Sequence, residues 1–465
     1  MHAQARAFAP VDIASLVFFR IVFGLLMVWQ CGRFLALNRI ALYWLEPRFL
    51  FKFYGFSWVH PWPGSGLYIH WAALGLFALF VTVGFFYRLS TVPFFLSYTY
   101  FFLDEAWYVN HTYLICLFGF LLIFVPANRA LSVDAWLNPK IRSGATPAWT
   151  LWLLRFQIGV IYFFAGVAKL SPDWFRGEPM RTEMARNSNV PIIGHFFREE
   201  WAVYAMSYGG LLFDLLIVPL LLWRRTRVAA FCMALVFHLI NARWFNIDVF
   251  PWMAISATAL FFPPSWPRRI LSIFGVASHQ ISARDWKLPA RGRQMLVLSL
   301  VAIYVVIQLL VPLHHFLYRG GIEWTYADHL FSWRMMALKQ SGGGFFYVTD
   351  PNIDQTFPVN PRQFLTKRQR LVMAYLPDMC VQFAQYLATT LPRAGPKPLK
   401  VEAQVFVSIN GRKPELLIDP NVDLASEPRT LGRPRWLLFI RGPLPPRGRE
   451  SKADVVPGST EIEDR

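Results

Sequence analysis

The chain has 465 residues, of which 55% are hydrophobic, 17% aromatic and only 16% charged, a balance that excludes an ordinary water-soluble two-domain enzyme. The formal net charge is +18, but the Lys and Arg residues fall in short loops and a tail instead of along one stripe, so nucleic acid is not an expected partner. Cys31, Cys116, Cys232 and Cys380 show no CxxC spacing, which points to neither a zinc site nor a disulfide framework.

A membrane span needs ~20 apolar residues to cross ~30 Å of hydrocarbon. Such stretches centre on 13–35, 69–87, 91–103, 110–127, 149–170, 202–223, 228–247, 250–263 and 295–315. The expected fold class is therefore membrane all-α: a polytopic bundle of about nine transmembrane helices over residues 1–315. The first stretch carries Arg20 and lacks a small-residue cleavage site, so it reads as a retained span in contact with lipid and not as a removable signal peptide. With the N-terminus in the cytoplasm, the loops on that side hold Arg88, then Arg129, Lys140 and Arg142, then Arg224, Arg225 and Arg227, and finally the basic run from Arg268 to Arg293. The opposite loops mix signs, which places the long tail outside.

After Pro312 the pattern changes. Residues 316–445 alternate short apolar runs with Gly, Pro and Asn turns, the mark of a smaller extramembrane α+β domain. "VEAQVFVSINGR" alternates with period two and turns at Asn410-Gly411, a hairpin signal. "RQRLVMAYLPDMCVQFAQYLATTL" has helical apolar spacing interrupted by Pro377. Residues 446–465 have the composition of a disordered tail.

Polar groups inside the spans carry the functional signal. In "LRFQIGVIYFFAGVAKL", Arg155, Tyr162 and Lys169 are spaced by sevens, nearly two helical turns, and share one stripe. Arg20, Arg155 and Asp214 are expected to be structural intramembrane charges, with Asp214 of the sixth stretch neutralising Arg155. Lys169 stands at the outer end of its span, where an interfacial lysine snorkelling to the surface is the plainer reading. His111 opens the fourth stretch at the same outer end, so the two could meet. His238 lies deeper and fits either a core histidine or a functional one. His314 and His315 are adjacent and do not share a helical face, which favours an interface cap over a metal pair; no metal site is expected.

Several stretches follow one another in a recognisable order: "FFRIVFGLLMVW", "VNHTYL", "LSVDAWLN", "LRFQIGVIYFFAGVAKLSPDWFRG", "YGGLLFDL", "FHLINARWFNI", "WTYADHLFSWRMM" and "QVFVSINGRKPELLIDPNVDL". Over roughly residues 12–430 the chain resembles the vitamin K-dependent γ-glutamyl carboxylase family. The resemblance implies an integral-membrane enzyme that couples oxygenation of a reduced naphthoquinone, reduced vitamin K, to carboxylation of glutamate in a protein or peptide substrate, using O2 and CO2 and no metal. It implies Lys169 as the base that deprotonates the hydroquinone and His111 as its helper. Apolar surroundings would favour the uncharged amine that a base requires. Asn110, Tyr162, His238, Asn241, Trp324, Trp333 and Met336 fall in the matching stretches and are expected to bind substrate or quinone. Where the family carries His and Arg after "SWRMM", this chain has Leu338 and Gln340, so a quinone epoxidase without carboxylation is the alternative. A non-catalytic quinone- or lipid-binding membrane protein is the alternative from another class. A tail shorter than in animal members points to a bacterial cytoplasmic membrane.

Overall fold

The structure, a computed structural model, describes residues 2–191, 193–244, 247–275, 286–317, 329–438 and 442–444. Among these residues, helices fill the nine apolar stretches: α1 Ala14–Ala36, α2 Ser65–Val83, α3 Tyr87–Asp104, α4 Asn110–Phe124, α5 Ala148–Ala168, α6 Glu200–Leu222, α7 Arg227–Trp244, α8 Phe250–Thr258 and α9 Arg291–Leu310. By length and composition, five described helices can cross a membrane: α1, α2, α5, α6 and the continuous run Arg291–Phe316. The chain is thus a mostly helical integral membrane protein with five such helices, fewer than the nine expected. The shortfall has local causes. The helix α3 carries Arg88, Pro93 and several hydroxyls, α7 carries Arg227, Asn241 and Arg243, and α4 and α8 are short.

Aromatic rings lock the bundle. Phe23 meets Phe94 edge-on at 5.6 Å, and Phe19 meets Phe118 at 4.9 Å, geometries that the ring quadrupole favours. One glycine sets a helix spacing that matters for the site. A Cβ on Gly166 of α5 would lie 2.6 Å from Leu215 Cδ2 and 3.2 Å from its backbone nitrogen, so only glycine lets α6 approach here.

Beyond the bundle, a four-stranded antiparallel sheet runs in the order β4-β3-β5-β6, with β3 Gln340–Asp350, β4 Gln355–Val359, β5 Lys400–Ile409 and β6 Glu415–Leu416. Two three-residue strands, β1 Pro10–Asp12 and β2 Ala145–Pro147, pair separately. Val401, Ala403, Val405 and Val407 alternate into the core, as the period-two pattern requires. The β5 strand turns at Asn410 (φ +51°) and Gly411 (φ +76°) back into β6. The stretch read as one interrupted helix forms two, α10 Lys367–Met373 and α11 Pro377–Thr390. Pro377 takes the first turn of α11, where its missing N–H costs nothing, and a capping box between Thr366 and Gln369 starts α10.

Candidate active site at the junction of bundle and tail

Lys169 sits at the C-terminal cap of α5 and is buried, with 5% of its surface exposed. Its Nζ donates to Asp214 Oδ2 at 2.6 Å, to the Ala165 carbonyl at 3.2 Å and to the Met335 carbonyl at 3.2 Å. It also lies 5.2 Å from the centroid of the Trp174 ring. The side chain therefore does not snorkel outward; protein acceptors take the three ammonium donors. Nor are its surroundings apolar alone, since a buried carboxylate faces the amine.

This pairing overturns the expected Arg155–Asp214 contact. The glycine approach puts residue 166 level with residue 215, so in antiparallel packing Arg155 lies some eleven residues, ~16 Å, from the level of Asp214. Arg155 instead donates from Nε to the Leu260 carbonyl at 2.8 Å and from Nη2 to the Phe262 carbonyl at 3.1 Å, capping the helical run after α8. Arg20 does the same for the segment after α4, donating to the carbonyls of Ala127 at 2.7 Å, Ala130 and Leu131. Arg155→Ala should lower stability by about 1–3 kcal/mol through its uncapped carbonyls. A double-mutant cycle of thermal stability with Asp214→Asn should show additivity to about 0.5 kcal/mol.

Nearly two helical turns before Lys169, the Tyr162 hydroxyl and His238 Nε2 share a 2.6 Å hydrogen bond in a buried setting, with His238 Nδ1 left without a partner. Asn241 lies three residues on along the same helix. His314 and His315 turn their Nδ1 atoms to the carbonyls of Val311 and Pro312. Among the described residues no group of three His, Cys, Asp or Glu side chains could hold a metal ion.

His111 is placed elsewhere. It lines a cavity of about 380 Å³ whose walls include Phe34, Trp44, Trp71, Trp107, Asp248 and Arg368, and Lys169 is not among the lining residues. No hydrogen bond or ion pair joins His111 to Lys169. The segment 331–336 of the tail contacts both neighbourhoods. Trp333 stacks on Tyr113, two residues from His111, at 5.1 Å, while the Met335 carbonyl accepts from Lys169. Phe331, Trp333 and Met336 all adopt φ between +55° and +59°, left-handed conformations that cost ~1–3 kcal/mol each and persist only where packing enforces them. Asn110 accepts from the Tyr108 hydroxyl at 2.9 Å. Trp324 lies outside the described residues.

Contacts not anticipated from the sequence join tail to bundle. Arg412 Nη1 and Nη2 donate to Asp173 Oδ2 and Oδ1 at 2.6 and 2.9 Å, and Asn410 Nδ2 donates to the same carboxylate at 2.7 Å, all buried. Lys52 Nζ pairs with Asp104 at 3.0 Å, and Gln382 of α11 bonds both the N–H and the carbonyl of Lys52. Lys339 pairs with Glu183. Gln369 donates to Glu105 at 2.9 Å, and burial holds the Glu105 carboxyl above its usual range. Burial likewise lowers Arg368 to about 10, with Glu105 opposing the shift. Asp173 was within sight in "LSPDW", but its partner 239 residues away was not.

A helical membrane bundle packed against a sheet-containing tail defines the class: the HTTM domain model matches residues 8–266, more than half of the chain. The model of the vitamin K-dependent gamma-carboxylase lumenal domain matches residues 293–442, and the chain belongs to the vitamin K-dependent carboxylase family. No solved structure matches it.

Proposed function

We propose that this chain is a vitamin K-dependent γ-glutamyl carboxylase-like enzyme in which Lys169 is the base toward a reduced naphthoquinone and His111 assists. The observation that carries this reading is the 2.6 Å Lys169–Asp214 pair, buried where the tail closes on the bundle. Moving the shared proton onto Asp214 leaves a neutral amine, and in a dry site that arrangement avoids burying two charges. Asp214 thus lets Lys169 accept a phenolic proton without exchanging it with water.

The residues present fit a flat aromatic ligand. The His111 cavity is walled by Phe34, Trp44, Trp71 and Trp107, and its volume lies in the usual range for small-molecule sites. A reduced quinone held there would supply, together with O2, the base strength needed to remove a glutamate γ-proton, and CO2 would add to the γ-carbanion that is left. Lys169 does not line that cavity, and in this reading the 331–336 segment shifts, withdrawing the Met335 carbonyl from the amine, when the hydroquinone is engaged. Trp333 and Met336 belong to that cover, while Asn110, Tyr162, His238 and Asn241 are the further residues proposed to bind quinone or substrate. The finer topology in this reading has nine spans, the N-terminus in a bacterial cytoplasm and the tail outside.

A second reading, quinone epoxidation without carboxylation, is favoured by one observation: Leu338 packs against the hydrophobic core, and Gln340 begins β3 with its side-chain nitrogen buried and unpaired. The two separate in one assay of the purified full chain with reduced vitamin K and a glutamyl peptide. The carboxylase reading predicts labelled CO2 in the peptide alongside quinone epoxide. Epoxide with an unlabelled peptide would leave the second reading; neither product would remove both.

A further inference from the structure

Arg368 makes no ion pair among the described residues. It projects from α10 of the tail into the His111 cavity, its guanidinium carbon 3.2 Å from the Trp107 ring centroid and 3.9 Å from that of Tyr43. The guanidinium lies over both rings, a placement that cation–π attraction favours. Its Nε and Nη1 are nonetheless buried without a hydrogen-bond partner. A guanidinium is donor-only and always charged, so these N–H groups, removed from water, want an acceptor.

The neighbouring charges do not provide one. Asp248 lines the same cavity but is engaged by Arg33 and by Arg39 at 3.6 Å. Glu105 is bonded by Gln369 and makes no ion pair with Arg368. The neutral quinone proposed for this cavity brings no anionic acceptor for those N–H groups, and a dianionic phosphate would meet Asp248 and Glu105 as well as Arg368. A single carboxylate can accept from both unpartnered N–H groups. One wall of the cavity comes from the extramembrane α10, so such a group can enter from the aqueous side without crossing hydrocarbon.

We infer that Arg368, lying over Trp107 and Tyr43, anchors the side-chain carboxylate of a glutamyl peptide in the His111 cavity. This inference rests on the carboxylase reading and names where that enzyme would hold its acceptor. Arg368 is a specificity-determining residue in this role, selecting Glu over its uncharged isostere Gln.

The test uses the purified full chain in lipid nanodiscs, without hydroquinone. Fluorescence anisotropy measures binding of a labelled pentapeptide Ala-Leu-Glu-Leu-Ala and of the same peptide with Gln at the centre. Wild type should prefer the Glu peptide by at least about tenfold, the scale of a charged hydrogen bond, and Arg368→Gln should bring the ratio close to one. A partly unfolded sample weakens both peptides alike and leaves their ratio intact. If Arg368→Gln cannot be purified, Arg368→Met fills the same aromatic slot without charge and is read the same way. A wild type that binds both peptides equally, or a variant that keeps the wild-type ratio, overturns the inference. Because no quinone is present, a failure of epoxide formation in the separate assay would count against the proposed function and leave this ratio readable.

Discussion

Lys169→Met should lower hydroquinone-dependent oxygenation by about 10²–10⁴-fold, the scale of a lost general base. It should also cost ~3–5 kcal/mol of stability, because the Asp214 carboxylate is left buried without its partner, 4% exposed. The two losses separate in the double variant Lys169→Met with Asp214→Leu. Replacing a buried pair by apolar groups of similar volume is often neutral or stabilising, so the double variant should regain most of the thermal stability and none of the oxygenation. Melting temperature and product formation, measured on the same samples, check both halves. Activity surviving in a folded double variant would show that the pair is a structural tie only.

The second large effect concerns how the tail is held over the site. Asp173 collects three buried donors from Arg412 and Asn410, and Arg412 has 7% of its surface exposed. Asp173→Ala leaves a buried guanidinium without its carboxylate and should weaken docking of the tail by ~3–5 kcal/mol. Since Asp173 lies four residues beyond Lys169, and Asn410 bonds the backbone of Lys339 just past the 331–336 segment, the loss should spread to the cover of the amine. Hydrogen exchange should accelerate in the 405–418 hairpin and in 331–337, while the buried halves of α1 and α5 stay protected. Exchange rising in the bundle to the same extent would show global unfolding and would count against a docking role.

How much of this was readable beforehand follows from the range of the interactions involved. Period-two alternation in β5, the Asn410-Gly411 turn and the nine apolar stretches are local patterns, and the helices and strands fall where those patterns put them. Lys169 was marked by the cost of an amine in an apolar run, and Asp214 by the same cost. Their partnership was not legible, because the register of α5 on α6 is set by the close approach at Gly166 and not by the spacing of charges. Arg155 illustrates the reverse error: a buried cation can be satisfied by helix-end carbonyls, which leave no mark on side-chain composition. Arg368 carried no signal in the sequence; only the packing of α10 against Trp107 and Tyr43 shows where it points. The five helices that meet the length and hydropathy of a span fall short of nine because polar residues in α3 and α7 dilute stretches whose cores are apolar.

The most direct measurement is oxygen-18 transfer from labelled O2 to reduced vitamin K by the purified wild-type chain in nanodiscs, with the Lys169→Met and Asp214→Leu double variant as the folded control. Labelled quinone epoxide from wild type and none above background from the double variant is the expected result. A wild type that is thermally stabilised by the hydroquinone, and so binds it, yet yields no labelled epoxide would contradict a catalytic role for the buried amine.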